Sequence, residues 1–163
     1  MPNYKTHLIG GLISFALVIR LAALYMPIFN ISTSLVPIAF ALSMIGSIFP
    51  DIDVPSKMQK WFFIASFGGV LITLLTKHYH LFALIGICIL FVAFLTHRTI
   101  THKPAFLVMF SLIPALYACY STPEYTYTAF ALYLYFTTGC LSHVLFDRIL
   151  SRFKRLVGKS HRF

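Results

Sequence analysis

Six apolar runs, most of them about as long as a bilayer is thick, limit what this chain can fold into. They cover Leu8–Phe29, Ser34–Phe49, Trp61–Thr76, Tyr79–Thr96, Pro104–Tyr120 and Thr128–Phe146. A helix crossing the hydrocarbon core needs about 17–25 such residues, so the second and third runs are short enough to be tilted, half-inserted or buried by neighbours. Only 10% of the 163 residues are charged and mean hydropathy is +0.84. A soluble domain would carry roughly 25% charge. The expected fold class is therefore all-α, a polytopic transmembrane helical bundle of about six spans. Residues 1–147 form its membrane-embedded domain and residues 148–163 a basic cytoplasmic tail.

The first run does not read as a cleavable signal peptide: it is long, contains Arg20, and is followed by no small-residue cleavage site. Cys88, Cys119 and Cys140 lie inside apolar runs without metal-ligand spacing and read as small packing residues. No internal repeat is visible. The 17 Phe and 9 Tyr suit lipid-facing and interfacial positions.

The placement of charge gives an expected topology. If the runs alternate sides, Lys5, Lys57, Lys60, Arg98, Lys103, Arg148, Arg152, Lys154, Arg155, Lys159 and Arg162 share one side. The other side holds only Lys77, and Arg20 lies within the first run, where it can snorkel. By the positive-inside bias the basic side is cytoplasmic. Both termini are then cytoplasmic, and the chain is a multi-pass protein of the cell membrane, the inner membrane of a bacterium.

Carboxylates are nearly absent, and three of the four stand in two short patterns: Pro50-Asp51-Ile52-Asp53 and Ser142-His143-Val144-Leu145-Phe146-Asp147. The fourth, Glu124, stands alone. A carboxylate at membrane level is costly unless paired or bound to metal. His143 and Asp147, at i and i+4, share one helix face and can chelate one ion or bridge two. Gly139, one turn earlier, would let another helix or a substrate approach closely. Asp51 and Asp53, between Pro50 and Pro55, sit in a constrained turn that can grip cations. His97 and His102 would diverge on one regular helix and converge only from a helix end and a loop; Lys103-Pro104 marks a break there. Arg98 suits a phosphate oxygen. His7 follows Thr6, read as a helix cap, and precedes Gly10-Gly11, which allow tight helix contact. Each cluster also has a bland reading, as a capped turn, a solvated loop or a helix-end pair. Their common placement on the cytoplasmic face, fixed from lysine and arginine alone, favours a metal site made of His7, Asp51, Asp53, His97, His102, His143 and Asp147. His78, His80 and His161 have no partner cluster.

These motifs, in this order, resemble the YdjM-like family of membrane-bound, metal-dependent hydrolases. The family shows an early Thr-His before small residues, a Pro-Asp-x-Asp turn, a His-Arg-Gly-x-Thr-His-Ser segment and a late Ser-His-x-x-x-Asp. The matches are Thr6-His7, Pro50-Asp51-Ile52-Asp53, His97-Arg98 with Thr101-His102, and Ser142-His143 with Asp147. Thr99 replaces the family glycine, and Lys103 replaces the serine after the second histidine. The resemblance implies hydrolysis, with a phospholipase-C-like zinc site by analogy.

Seven ligands exceed what one zinc ion takes, so two or three divalent ions are expected, zinc or manganese first and iron third. Such ions lower the pKa of a bound water toward neutrality and polarise a scissile phosphoryl or acyl centre. Arg98 and Lys103 are the expected catalytic residues, Arg98 clamping a phosphate oxygen and Lys103 drawing in an anionic group. A site at headgroup level favours a lipid phosphoester as substrate. The basic tail would hold anionic lipid at ~1 kcal/mol per basic residue. Membrane lipids are thus the expected partners, and nucleic acid is not. The rival reading is a metal-binding transporter, whose ligands would spread through the depth of the bilayer. An intramembrane metalloprotease ranks third, because His-Glu-x-x-His is missing.

Overall fold

A computed structural model describes residues 4–26, 29, 31–53, 57–94 and 100–160. Among these there are six α-helices and no strand. They are α1 (Tyr4–Tyr25), α2 (Val36–Ile48), α3 (Lys57–Leu75), α4 (Tyr79–Phe94), α5 (Pro104–Ser121) and α6 (Thr126–Ser160). Short 3-10 turns at Thr33–Leu35, Phe49–Asp53 and Pro123–Tyr125 join them. The protein is an all-α helical membrane bundle. Among the described residues four segments are long and apolar enough to cross a membrane: Lys5–Tyr25, Thr33–Ile52, Pro104–Ser121 and Pro123–Phe153. The apolar parts of α3 and α4, Gln59–Leu75 and Tyr79–Leu90, are shorter.

Prolines set two of the helix starts. Pro104 opens α5 at its first position and Pro37 follows Val36 in α2; neither position needs a helical N–H donor. Thr6 lies inside α1 rather than capping it. The change from apolar to basic residues at Arg148 does not end α6, which runs on as helix to Ser160. No proline interrupts it, and the basic residues are good helix formers.

The chain divides into two compact units, Met1–Pro50 with Lys103–Phe163, and Asp51–His102. In the first unit α6 packs against α1, α2 and α5. The contacts fix directions. Ser47 meets His143 and Ser43 meets Gly139, so α2 runs parallel to α6. His7 meets Asp147 and Phe15 meets Tyr135, so α1 is antiparallel to α6. Ser111 meets Thr137 and Leu107 packs with Cys140 and Val144, so α5 is antiparallel as well. The start of α1, the end of α2, the start of α5 and residues 143–147 of α6 therefore share one end of this unit.

Lipid offers no hydrophobic drive between helices, so close packing and hydrogen bonds hold them. The α2–α6 crossing uses a glycine from each helix. A Cβ on Gly46 would overlap the Phe136 carbonyl, and one on Gly139 would overlap the Ser43 carbonyl. At the α1–α2 crossing a Cβ on Gly11 would lie 2.7 Å from Ser47 Oγ. Beside it Ser43 Oγ donates to the Gly11 carbonyl at 2.9 Å and lies 3.0 Å from Ser14 Oγ. Ser111 and Thr137 hydroxyls meet at 2.8 Å between α5 and α6. Each such bond contributes about 0.6 kcal/mol in a membrane.

The second unit is the α3–α4 hairpin. Lys77 takes φ 59° between the helices, and His78 N–H bonds the Thr73 carbonyl at 2.9 Å. That six-to-one bond around a left-handed residue is the Schellman closure of a helix C-terminus, here with lysine where glycine is usual.

Candidate metal centre

The first unit brings together His7, His143 and Asp147. The i, i+4 spacing on α6 sets His143 and Asp147 on one face, and antiparallel α1 delivers His7 to it. Gly10 allows the approach, since a Cβ there would lie 2.9 Å from the Phe146 ring. His7 and His143 are 2% and 0% exposed, and the Asp147 side chain is 22% exposed, the opening to the outside. The imidazoles stack with centroids 3.8 Å apart and planes 14° from parallel. His7 Nε2 lies 3.6 Å from Asp147 Oδ1, and His143 Nε2 lies 3.8 Å from Oδ2. One ligand atom from each of the three residues falls within 4.8 Å of the others.

His143 Nδ1 lies 2.8 Å from the Ser47 carbonyl, an acceptor only, so Nδ1–H donates. In the neutral ring Nε2 then carries a lone pair, aimed at the carboxylate. A carbonyl holding one nitrogen while the other faces a ligand position is the usual support of a metal-binding histidine.

The spacing fits cations between the groups. Separations of 3.6 and 3.8 Å exceed an ordinary N–H···O bond. Two ligands ~2.1 Å from a tetrahedral ion lie ~3.4 Å apart. Each histidine faces a different oxygen of the same carboxylate. His7 and His143 could each offer a ring nitrogen to a cation, and Asp147 its two carboxylate oxygens.

In the second unit His102 Nε2 lies 3.7 Å from Asp51 Oδ1, with side chains 18% and 37% exposed. Thr101, buried, lies 3.3 Å from His102 Nδ1 through Oγ1. His97, Arg98 and the Asp53 side chain lie outside the described residues. Lys103 is exposed and stands just before α5, at the same end of the first unit as the His7–His143–Asp147 trio, with no side-chain capping bond. His78 and His80 are exposed at the opposite end of the α3–α4 hairpin from Asp51 and His102, and Glu124 is exposed beside α6. The functional group that sequence reasoning missed is the Ser47 carbonyl. A backbone acceptor has no residue signature, though the small residues Ser43, Gly46 and Ser47 on one stretch of α2 mark where another helix comes close.

A family model described as YdjM inner membrane protein matches residues 1–153. No curated protein and no solved structure matches the chain.

Proposed function

The chain belongs to the YdjM inner membrane protein family, and on that footing we propose that it is a metal-dependent hydrolase of a lipid phosphoester, working at the cytoplasmic headgroup level. One observation carries the reading: His7, His143 and Asp147, from the two ends of the chain, put three donor atoms within 4.8 Å of one another. His143 lies seventeen residues along α6, about 26 Å from its start. That is close to the full ~30 Å of a hydrocarbon core. Ligands gathered at one end of the helices favour surface chemistry over an ion pathway, whose groups would be spread in depth.

His7 and His143 would hold one divalent ion each, zinc or manganese, with Asp147 bridging; Asp51 and His102 offer a further position. Such ions supply Lewis acidity to a bound water and to a phosphoryl centre. The chain's own groups do the rest. The Ser47 carbonyl fixes the His143 tautomer, and burial of both imidazoles keeps competing water off the ligands. Arg98 is assigned to the substrate phosphate, where its planar fork matches two oxygens, and Lys103 to attracting the anionic headgroup. The basic residues after Asp147 keep anionic lipid nearby.

The test joins elemental analysis to a headgroup-release assay on protein purified without chelators and with zinc or manganese present. More than one ion per chain is expected. His143→Ala lowers the content and Glu124→Ala does not. Arg98→Ala keeps its metal and loses turnover by on the order of 10²-fold. A metal-free protein sinks the proposal. Metal without release of product from any lipid phosphoester turns the reading to a transporter.

A further inference from the structure

Below the His143 level, α2, α5 and α6 enclose a groove of about 320 Å³. It is lined by Leu42 of α2, Pro114 and Ala118 of α5, and Ala129, Leu132 and Phe136 of α6. Its two hydroxyl-bearing linings are turned into the protein. Ser111 bonds the Leu107 carbonyl at 2.7 Å, and Tyr133 reaches the Val108 carbonyl at 3.4 Å. What remains is apolar, and its volume is at the lower end of ligand pockets, about 300–1,000 Å³.

The position of the groove selects its occupant. Phe136 and Ala129 precede His143 by seven and fourteen residues, so they lie about 10 and 21 Å deeper along α6. Seven-residue steps drift by only ~20° on a helix, so the groove and His143 share one stripe of α6. A lipid with its phosphate at the His143 level carries its ester linkages and first methylenes over the upper 10 Å and its mid-chain at the groove. Small side chains line it from both helices, Ala115 and Ala118 of α5 and Ala129 of α6. Resting on the metal-hydrolase reading above, we propose that this groove binds an acyl chain of the lipid substrate, and that it makes the protein selective for long-chain phospholipids.

Chain and bilayer are equally apolar, so selectivity comes from packing rather than from escape from water. The test uses full-length, zinc-loaded protein in detergent and measures lipid retention by native mass spectrometry. The probes are dioleoyl and dioctanoyl phosphatidylglycerol, which share a headgroup and differ in chain. The wild type should prefer the long chain by roughly fivefold, a difference of about 1 kcal/mol. Ala129→Phe fills the groove and should erase the preference while leaving zinc content and dioctanoyl binding unchanged. Ala118→Phe fills it from the facing helix and should do the same, which covers a folding defect in either variant. Met109→Phe, at an exposed position of α5, should keep the preference. If both filled variants still prefer the long chain, or Met109→Phe loses the preference equally, the bound lipid is ordinary boundary lipid and the proposal is overturned. Zinc and hydrolysis without chain preference remove the groove alone. Chain preference in a protein that neither holds zinc nor hydrolyses lipid removes the enzyme reading and leaves the groove standing.

Discussion

Replacing Asp147 with asparagine is the sharpest test of the proposed paired-ion site. The amide keeps shape and one oxygen ligand but loses the charge placed between His7 and His143 at 3.6 and 3.8 Å. A doubly charged ion ~3 Å from the centre of a carboxylate charge gains roughly 3 kcal/mol even under the full screening of water. The side chain is only 22% exposed, so real screening is weaker and this is a floor. Affinity should therefore fall by about a hundredfold or more. The assay is thermal unfolding of purified protein with and without zinc. At zinc a hundredfold above the wild-type dissociation constant, binding stabilises the wild type by about 2.7 kcal/mol and the variant by about 0.4 kcal/mol. For a chain of this size that is a shift of roughly 5–10 °C against one of about 1 °C. Without zinc the two proteins should unfold within a degree or two of each other, because the substitution removes no packing. An Asp147→Asn protein that retains the full zinc-dependent shift would refute the bridging role. A large loss of stability without zinc would show that the carboxylate is structural.

Gly139→Ala should destabilise the protein by about 1–3 kcal/mol, because the added Cβ meets the Ser43 backbone carbonyl, which cannot turn away as a side chain could; denaturant unfolding reads it, and a neutral result would mean that the α2–α6 crossing is looser than described. A reporter fused after Phe163 should read as cytoplasmic, since eleven of the thirteen Lys and Arg residues share the side of both termini if the six apolar runs alternate; a periplasmic signal would overturn that topology.

The helices were legible because apolar composition over a bilayer's width leaves the backbone few alternatives. Their ends were less so. Hydropathy stops at Phe146, where lipid would stop, yet α6 continues to Ser160 because nothing in Arg148–Val157 breaks a helix. Thr6 has the chemistry of a cap, but α1 already includes Tyr4. For the site, the i, i+4 spacing of His143 and Asp147 carries its own geometry, since one turn of helix brings such a pair together whatever surrounds it. His7 carried no comparable signal. Its place beside them depends on α1 running antiparallel to α6, and Gly10-Gly11 hinted at close packing without saying against which helix.

The small residues and the polar ones turn out to be parts of one device. Gly46 and Gly139 let α2 and α6 approach until each backbone touches the other. That distance is what puts the Ser47 carbonyl 2.8 Å from His143 Nδ1. The carbonyl commits the proton to Nδ1 and so leaves the Nε2 lone pair facing Asp147. Gly10 then admits the His7 ring, which stacks on His143 and meets the second carboxylate oxygen. Each step relies on a side chain that is missing rather than one that is present. A larger residue at Gly46 or Gly139 would therefore act on His143 without touching it, by moving the helix that carries its orienting carbonyl, and one at Gly10 would act by moving the helix that carries His7.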